Sequence, residues 1–395
     1  MDEDQDEVED EVEIEVEAGD EENANEVLAR EIMEGKRRPT TRVMYRNRIR
    51  LLSTWIEEKH PQYYDSENKC LKIPIEPKII MEFMAKVSVV EDRRTKVKRQ
   101  ASVSVIGSYR SAIAMLYEEQ NLKYNDETLL AFTKFAGGYK RLVADKKLNG
   151  EMKIQEGKSP ITFQAYNFVA KEAMKTKGDH SLGCFAHLFL ILCWTLMARS
   201  VSVGTILLDH LSWENDALLV STPKHKGDQE GNNCYPKHVY ANPDNPFICP
   251  ILSMAIHFFS GGWRRDGSKQ LLFQGTANEG RVSKWLRDIV KRYKESLEIL
   301  GILSFEVGTH SFRKGVATFA ASCPGGPSTV CIFLRAGWSL GAVTSRYIFA
   351  GHGGDQVDTA KFTVDDSFRT AINMSFTLHQ FIFHSLSAEL LAAFH

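Results

Sequence analysis

The sequence predicts a mainly α fold with a small β-sheet, in two domains behind an acidic N-terminal tail. Three observations carry that expectation. Apolar residues recur at helical spacing over most of the 395 residues. Strand-like pieces are confined to one short stretch near the middle. Between two periodic regions, "LNGEMKIQEGKSP" (148–160) has glycine, proline and no apolar period, which marks a linker.

In chain order, residues 1–26 hold 15 acidic residues and no Lys or Arg. Such a block repels itself and cannot bury a core, so a disordered tail is expected. Of 51 acidic residues in the chain, 36 then remain against 49 basic ones, an excess of 13 positive charges. That balance suits a polyanion partner.

Residues 27–148 read as an all-α domain. "PTTRVMYRNRIRLLSTWIEEKH" (39–60) opens on Pro and Thr, and its Val43, Met44, Ile49, Leu51, Leu52, Trp55 and Ile56 follow a helical period. Residues 76–88, 104–120 and 126–147 read the same way. Arg42, Arg46, Arg48 and Arg50 stud the first helix, and "RRTKVKR" (93–99) lies between others. A solvated charge run has the same composition. Basic residues on several helices of one domain fit a grip on a DNA backbone better.

After a linker at 149–158, the second domain begins near Ser159, predicted as an N-cap with Pro160 at the first helical position. "FAHLFLILCWTLMA" (185–198) is apolar on every side. It is shorter than the roughly 20 residues a membrane span needs, so a buried helix is expected. "ALLVSTP" (217–223) and "KHVYA" (237–241) are strand-like around the turn-rich "KHKGDQEGNN". This predicts a hairpin or three-stranded sheet. The rest reads as helical, through "HSFRKGVATFAASC", "STVCIFLRAGW" and "AVTSRYIFAG".

No secretory leader is expected from the acidic start. The seven cysteines (Cys70, Cys184, Cys193, Cys234, Cys249, Cys323 and Cys331) form no CxxC and no zinc-ligand spacing. Neither a metal nor a disulfide framework is expected.

The residues that carry chemistry stand out by order. Arg199 closes the buried helix in "TLMARSVSV". Lys224 and Lys226 sit in the polar turn between predicted strands. "HSFR" places His310 and Arg313 three apart, on one helical face. Trp338 and Tyr347 come next. Alone, each has an ordinary structural explanation: a helix-end arginine, an exposed lysine, a core tryptophan, a packing tyrosine.

In this order they resemble the tyrosine recombinase superfamily of phage-type integrases, whose pattern is Arg, a hairpin Lys, His-x-x-Arg, His or Trp, then the Tyr nucleophile. The resemblance covers about 159–350. The stretch from "ARS" through "HLSW", "KGDQEG" and "CP" is similar to the Crypton branch of eukaryotic DNA transposons. Many relatives carry a carboxylate three residues after the first Arg; here that position is Ser202. Lys226 is preferred over Lys224 because it precedes Gly227, as the hairpin lysine often does in relatives.

The resemblance implies an N-terminal core-binding domain that clamps DNA (27–148), a catalytic domain (159–350) and a tail (351–395) that packs on its own domain or on a neighbouring subunit. It implies a site-specific recombinase or transposase on double-stranded DNA, a homotetramer at the four-way junction, and a nuclear location. No cofactor, metal, membrane or small-molecule substrate is implied. Tyr347 would attack the phosphodiester to form a 3′-phosphotyrosine link. Lys226 would protonate the departing 5′ oxygen.

The residue types suit that chemistry. A phenol has a pKa near 10 and needs help to become a nucleophile. Arg199 and Arg313 can bond phosphate oxygens bidentately. His310 can relay a proton near neutrality, and the Trp338 indole N–H is a donor only. Two rival readings share these residues: a domesticated DNA-binding protein that has lost cleavage, and a type IB topoisomerase.

Overall fold

The computed structural model describes residues 18–91, 96–154, 157–175, 180–224, 230–231, 235–261, 263–264, 269–302, 307–323 and 326–338. It is mainly helical with small antiparallel sheets, and it divides into two compact units, Met1–Glu156 and Gly157–His395.

The first unit contains α1 (Ala18–Glu34), α2 (Pro39–Lys59), β1 (Tyr64–Asp65), β2 (Cys70–Leu71), α3 (Pro77–Val87), β3 (Val89–Glu91), β4 (Lys98–Gln100), α4 (Val103–Glu119) and α5 (Asp126–Leu148). Helix α1 reaches back into the acidic stretch expected to be disordered. Its Ala and Glu residues are good helix formers, so residues 18–26 have local reason to be helical. The core joins Leu52, Trp55 and Ile56 of α2 to Ile80 and Phe83 of α3, Ile106 and Ile113 of α4, and Phe132 and Tyr139 of α5. The apolar period over α2 is only partly used, because Val43 and Leu51 are exposed while Leu52, Trp55 and Ile56 are buried.

The basic run at 93–99 lies between helices, as expected, and its described part enters a strand that the sequence did not show: β4 pairs antiparallel with β3 and matches Glu91 to Lys98. Strands of two or three residues give too little alternation to read from sequence. The base of this hairpin is anchored by Tyr139, whose hydroxyl donates to the Ala101 carbonyl at 2.7 Å and accepts from Gln100 Nε2 at 3.0 Å. Lys96, Lys98 and Arg99 are exposed on it, and Arg46 and Arg50 are exposed on α2.

The second unit contains α6 (Phe163–Met174), α7 (His180–Thr195), α8 (Ser200–Gly204), β5 (Leu211–Glu214), β6 (Ala217–Val220), β7 (Lys237–Val239), α9 (Pro250–Ser260), α10 (Asn278–Arg292), α11 (Lys294–Ile299), α12 (Thr309–Ser322) and α13 (Thr329–Ala336). The predicted sheet is present with three strands in the order β5-β6-β7, all antiparallel. Helix α7 is the centre of this unit. It packs against α6, α9 and α12, and every residue from Gly183 to Thr195 is buried. A helix apolar all round has no solvent face to offer, so it sits inside.

The predicted cap at Ser159 is corrected. Helix α6 starts at Phe163, and Thr162 is its N-cap, its hydroxyl accepting from the Ala165 N–H at 3.1 Å. The reason is tertiary: the Ile161 N–H donates to the Ser311 carbonyl of α12 at 3.1 Å, which holds the chain outside the helix until that point. There α12 comes close. A Cβ on Gly315 would lie 2.3 Å from the Ile161 carbonyl oxygen, so only glycine fits.

Candidate functional site

The site is built at the C-terminal end of α7. The Ala198 N–H donates back to the Cys193 carbonyl at 3.2 Å, and the Met197 N–H to Trp194 at 3.0 Å. This pair of bonds is a Schellman turn, which needs a left-handed residue at its apex and usually takes glycine. Here the apex is Met197, with φ of 46° and its side chain fully buried. Arg199 was expected to close this helix. Instead it stands beyond the turn, at the N-cap position of α8.

Helix α13 ends in the same way. The Trp338 N–H donates to Phe333 at 2.8 Å and the Gly337 N–H to Leu334 at 2.9 Å, with Gly337 at φ 61°. Trp338 follows directly, half-buried, its ring edge-on to Phe333 at 5.3 Å and 79°.

Arg313 joins the two turns. From α12, Nη1 donates to the Met197 carbonyl at 2.5 Å, and Nη2 donates to the Ala336 carbonyl. Its guanidinium carbon lies 5.5 Å from the centre of the Trp338 ring, a cation–π distance. Arg313 is only 7% exposed. Burial lowers its pKa to about 10, and the positive charge of Arg199 acts in the same direction. Among the described residues no carboxylate pairs with Arg313. A buried guanidinium with no carboxylate beside it, in the field of a second positive charge, favours a bound anion.

His310 lies in the first turn of α12, exposed to solvent and three residues from Arg313. Its turn is fixed by the Gly308 N–H donating to Ser311 Oγ at 3.1 Å, while the Ser311 N–H donates to the Gly308 carbonyl at 2.8 Å. Lys224 is exposed, in the connection from β6 to β7. Lys226 and Tyr347 lie outside the described residues, as does the tail at 351–395. The structure therefore brings Trp338 against Arg313, with Arg199 near enough for its charge to lower the Arg313 pKa, and puts His310 on the same helix as Arg313.

Two further cations meet the end of α7, and neither stood out in the sequence. Lys237, at the start of β7, donates to the Leu196 carbonyl at 2.8 Å. Arg335, only 4% exposed on α13, donates to the Thr195 carbonyl from Nε at 3.1 Å and from Nη2 at 2.7 Å. The one hint of Arg335 is a charge within the otherwise apolar "VCIFLRA". Among the described residues no His, Cys, Asp and Glu cluster could hold a metal ion, and no helix is long and apolar enough to cross a membrane.

No protein-family model matches the sequence, and no curated protein matches it. Solved structures similar to this chain include the XerH site-specific recombinase bound to its difH substrate in a pre-cleavage complex. There the identity is 12% and the TM-score 0.42, over 70% of this chain and 67% of that one. A FLP recombinase–Holliday junction complex shares 10% identity at a TM-score of 0.38, over 73% and 74%. The Tn1549 transposon integrase in complex with transposon right end DNA shares 14% at 0.36, over 84% and 99%.

Proposed function

We propose that this chain is a DNA strand-transferase of the tyrosine recombinase kind, a site-specific recombinase or transposase. The observation that carries this reading is the convergence of Arg199, Arg313 and Trp338 at the end of α7. A buried Arg313 without a carboxylate partner among the described residues, stacked on the Trp338 ring and near the charge of Arg199, suits a phosphodiester cradle. The exposed cations of α2 and the β3–β4 hairpin support a grip on the DNA backbone by the first unit.

In the proposed reaction the Tyr347 phenol oxygen attacks the scissile phosphorus and gives up its proton to His310 or, through it, to water. The bond from phosphorus to the 5′ oxygen breaks. That oxygen gains a proton from Lys226 and leaves as a 5′-hydroxyl, and the chain is left with a 3′-phosphotyrosine link. Arg199 and Arg313 neutralise the charge that builds on the non-bridging oxygens, Trp338 donates to one of them, and His310 holds the phosphate or relays a proton. The phosphodiester count is unchanged, so a second 5′-hydroxyl reverses the step on a new partner. This sequence needs no ATP, and four protomers would act on two duplexes. Placement in the Crypton branch and in the nucleus belongs to the same proposal.

The test uses a pool of nicked suicide duplexes with randomised sequence, incubated with the full chain and run on a denaturing gel. A covalent adduct that disappears in Tyr347→Phe is expected. No adduct with the unaltered protein would leave a DNA-binding protein that has lost cleavage. An adduct that survives Tyr347→Phe would remove the nucleophile assignment. Relaxation of supercoils without strand exchange would turn the reading to a type IB topoisomerase.

A further inference from the structure

Three consecutive carbonyls at the end of α7 each meet a cation from a different part of the chain. Arg335 takes Thr195, Lys237 takes Leu196, and Arg313 takes Met197. The last carbonyls of a helix have no partner within it and carry the negative end of its dipole, so cationic donors suit them. Arg335 does more than cap. Its Nη2 also donates to the His238 carbonyl of β7 at 2.9 Å.

The guanidinium is a rigid plane with donors at fixed angles. Nε and Nη2 converge on Thr195, and Nη2 reaches His238 as well, so one side chain sets α7 and β7 relative to each other. Arg335 itself rides on α13, one residue before the Ala336 carbonyl that holds Arg313 and three before Trp338. The end of α7 carries Met197, the other carbonyl that holds Arg313, and then Arg199. Burying a guanidinium in a core is costly, and an apolar side chain would fill the space without that cost.

We propose that Arg335 is a positioning residue for the phosphate cradle. Its planar fork locks the α7 turn, β7 and α13 together, so that Arg199, Arg313 and Trp338 face one phosphate. The inference rests on the phosphodiester reading of the cradle. It assigns a task to a residue outside the six that the sequence pattern named.

The test compares the full-length protein with Arg335→Lys, which keeps the charge and loses the fork. Three readouts are taken: hydrogen exchange of the peptide spanning 194–204, affinity for the randomised duplex pool, and the rate of adduct formation. Exchange in that peptide should rise by about tenfold while the rest of the second unit is unchanged. Pool affinity should hold, and the adduct rate should fall by about tenfold or more, as ångström-scale misplacement of catalytic groups does. Unchanged exchange and an unchanged rate would overturn the proposal. So would a parallel loss of thermal stability, affinity and rate, which is the behaviour of a plain core residue. If the unaltered protein forms no adduct, the strand-transfer reading fails, and the exchange result alone decides whether Arg335 holds the turn. If Arg335→Lys does not fold, nitrogen-15 NMR of the unaltered protein decides. A locked fork gives separate Arg335 Nη resonances, and averaged ones contradict it.

Discussion

The two turns that hold Arg313 have the same hydrogen-bond pattern and different residues at the apex. At the end of α13 the left-handed position is Gly337, which adopts a positive φ without penalty. At the end of α7 it is Met197, for which that conformation costs on the order of 1–2 kcal/mol. The first turn is encoded locally, and the second has to be held by its surroundings. Those surroundings are visible: a fully buried Met197 side chain, and Arg335, Lys237 and Arg313 on three successive carbonyls. The turn next to Arg199 is therefore the one whose shape depends on distant parts of the chain.

Removing the shared clamp should have the largest effect on both turns. Arg313→Met leaves the Met197 and Ala336 carbonyls without their donor, at about 1–3 kcal/mol each before relaxation. Urea denaturation should show a loss of about 3 kcal/mol, and the adduct should vanish. Next in size, Gly315→Ala pushes α12, and Arg313 with it, away from Ile161. A cost of about 2 kcal/mol in the same assay is expected from such overpacking. Gly337→Ala places a Cβ in the left-handed turn of α13 and should cost about 1 kcal/mol.

The sharpest test of the comparison has an effect no larger than that. Met197→Gly and Met197→Ala leave nearly the same cavity, and they differ chiefly in the left-handed penalty. The glycine variant should be the more stable by about 1 kcal/mol, the reverse of the usual helical order. Equal stabilities would mean that Met197 stores no strain.

The sequence made the local half of this account legible. Helical periods marked α2 to α5 to within a residue or two, an all-apolar run marked α7 though not its start at His180, and "HSFR" put His310 and Arg313 on one helix. Gly337 before Trp338 is a recognisable helix stop. What stayed hidden depends on long-range partners. Arg335 reads as a stray charge until Thr195 and His238 are placed beside it, 140 and 97 residues away. Lys237 reads as an exposed strand residue until the Leu196 carbonyl is found 41 residues away. Met197 gives no sign of a turn, because the usual signal is a glycine. The shift of the α6 cap from Ser159 to Thr162 has the same origin, since the Ser311 carbonyl of a distant helix decides where α6 begins.

The central claim is that Arg199, Arg313 and Trp338 cradle a phosphodiester that Tyr347 attacks. Its most direct measurement is peptide mass spectrometry of the protein after incubation with the suicide-duplex pool, followed by nuclease and protease digestion. A nucleotide-bearing phosphotyrosine at Tyr347, absent in Arg313→Met, is the expected result. A nucleotide adduct on another residue, or none on a protein that binds the pool, would contradict it.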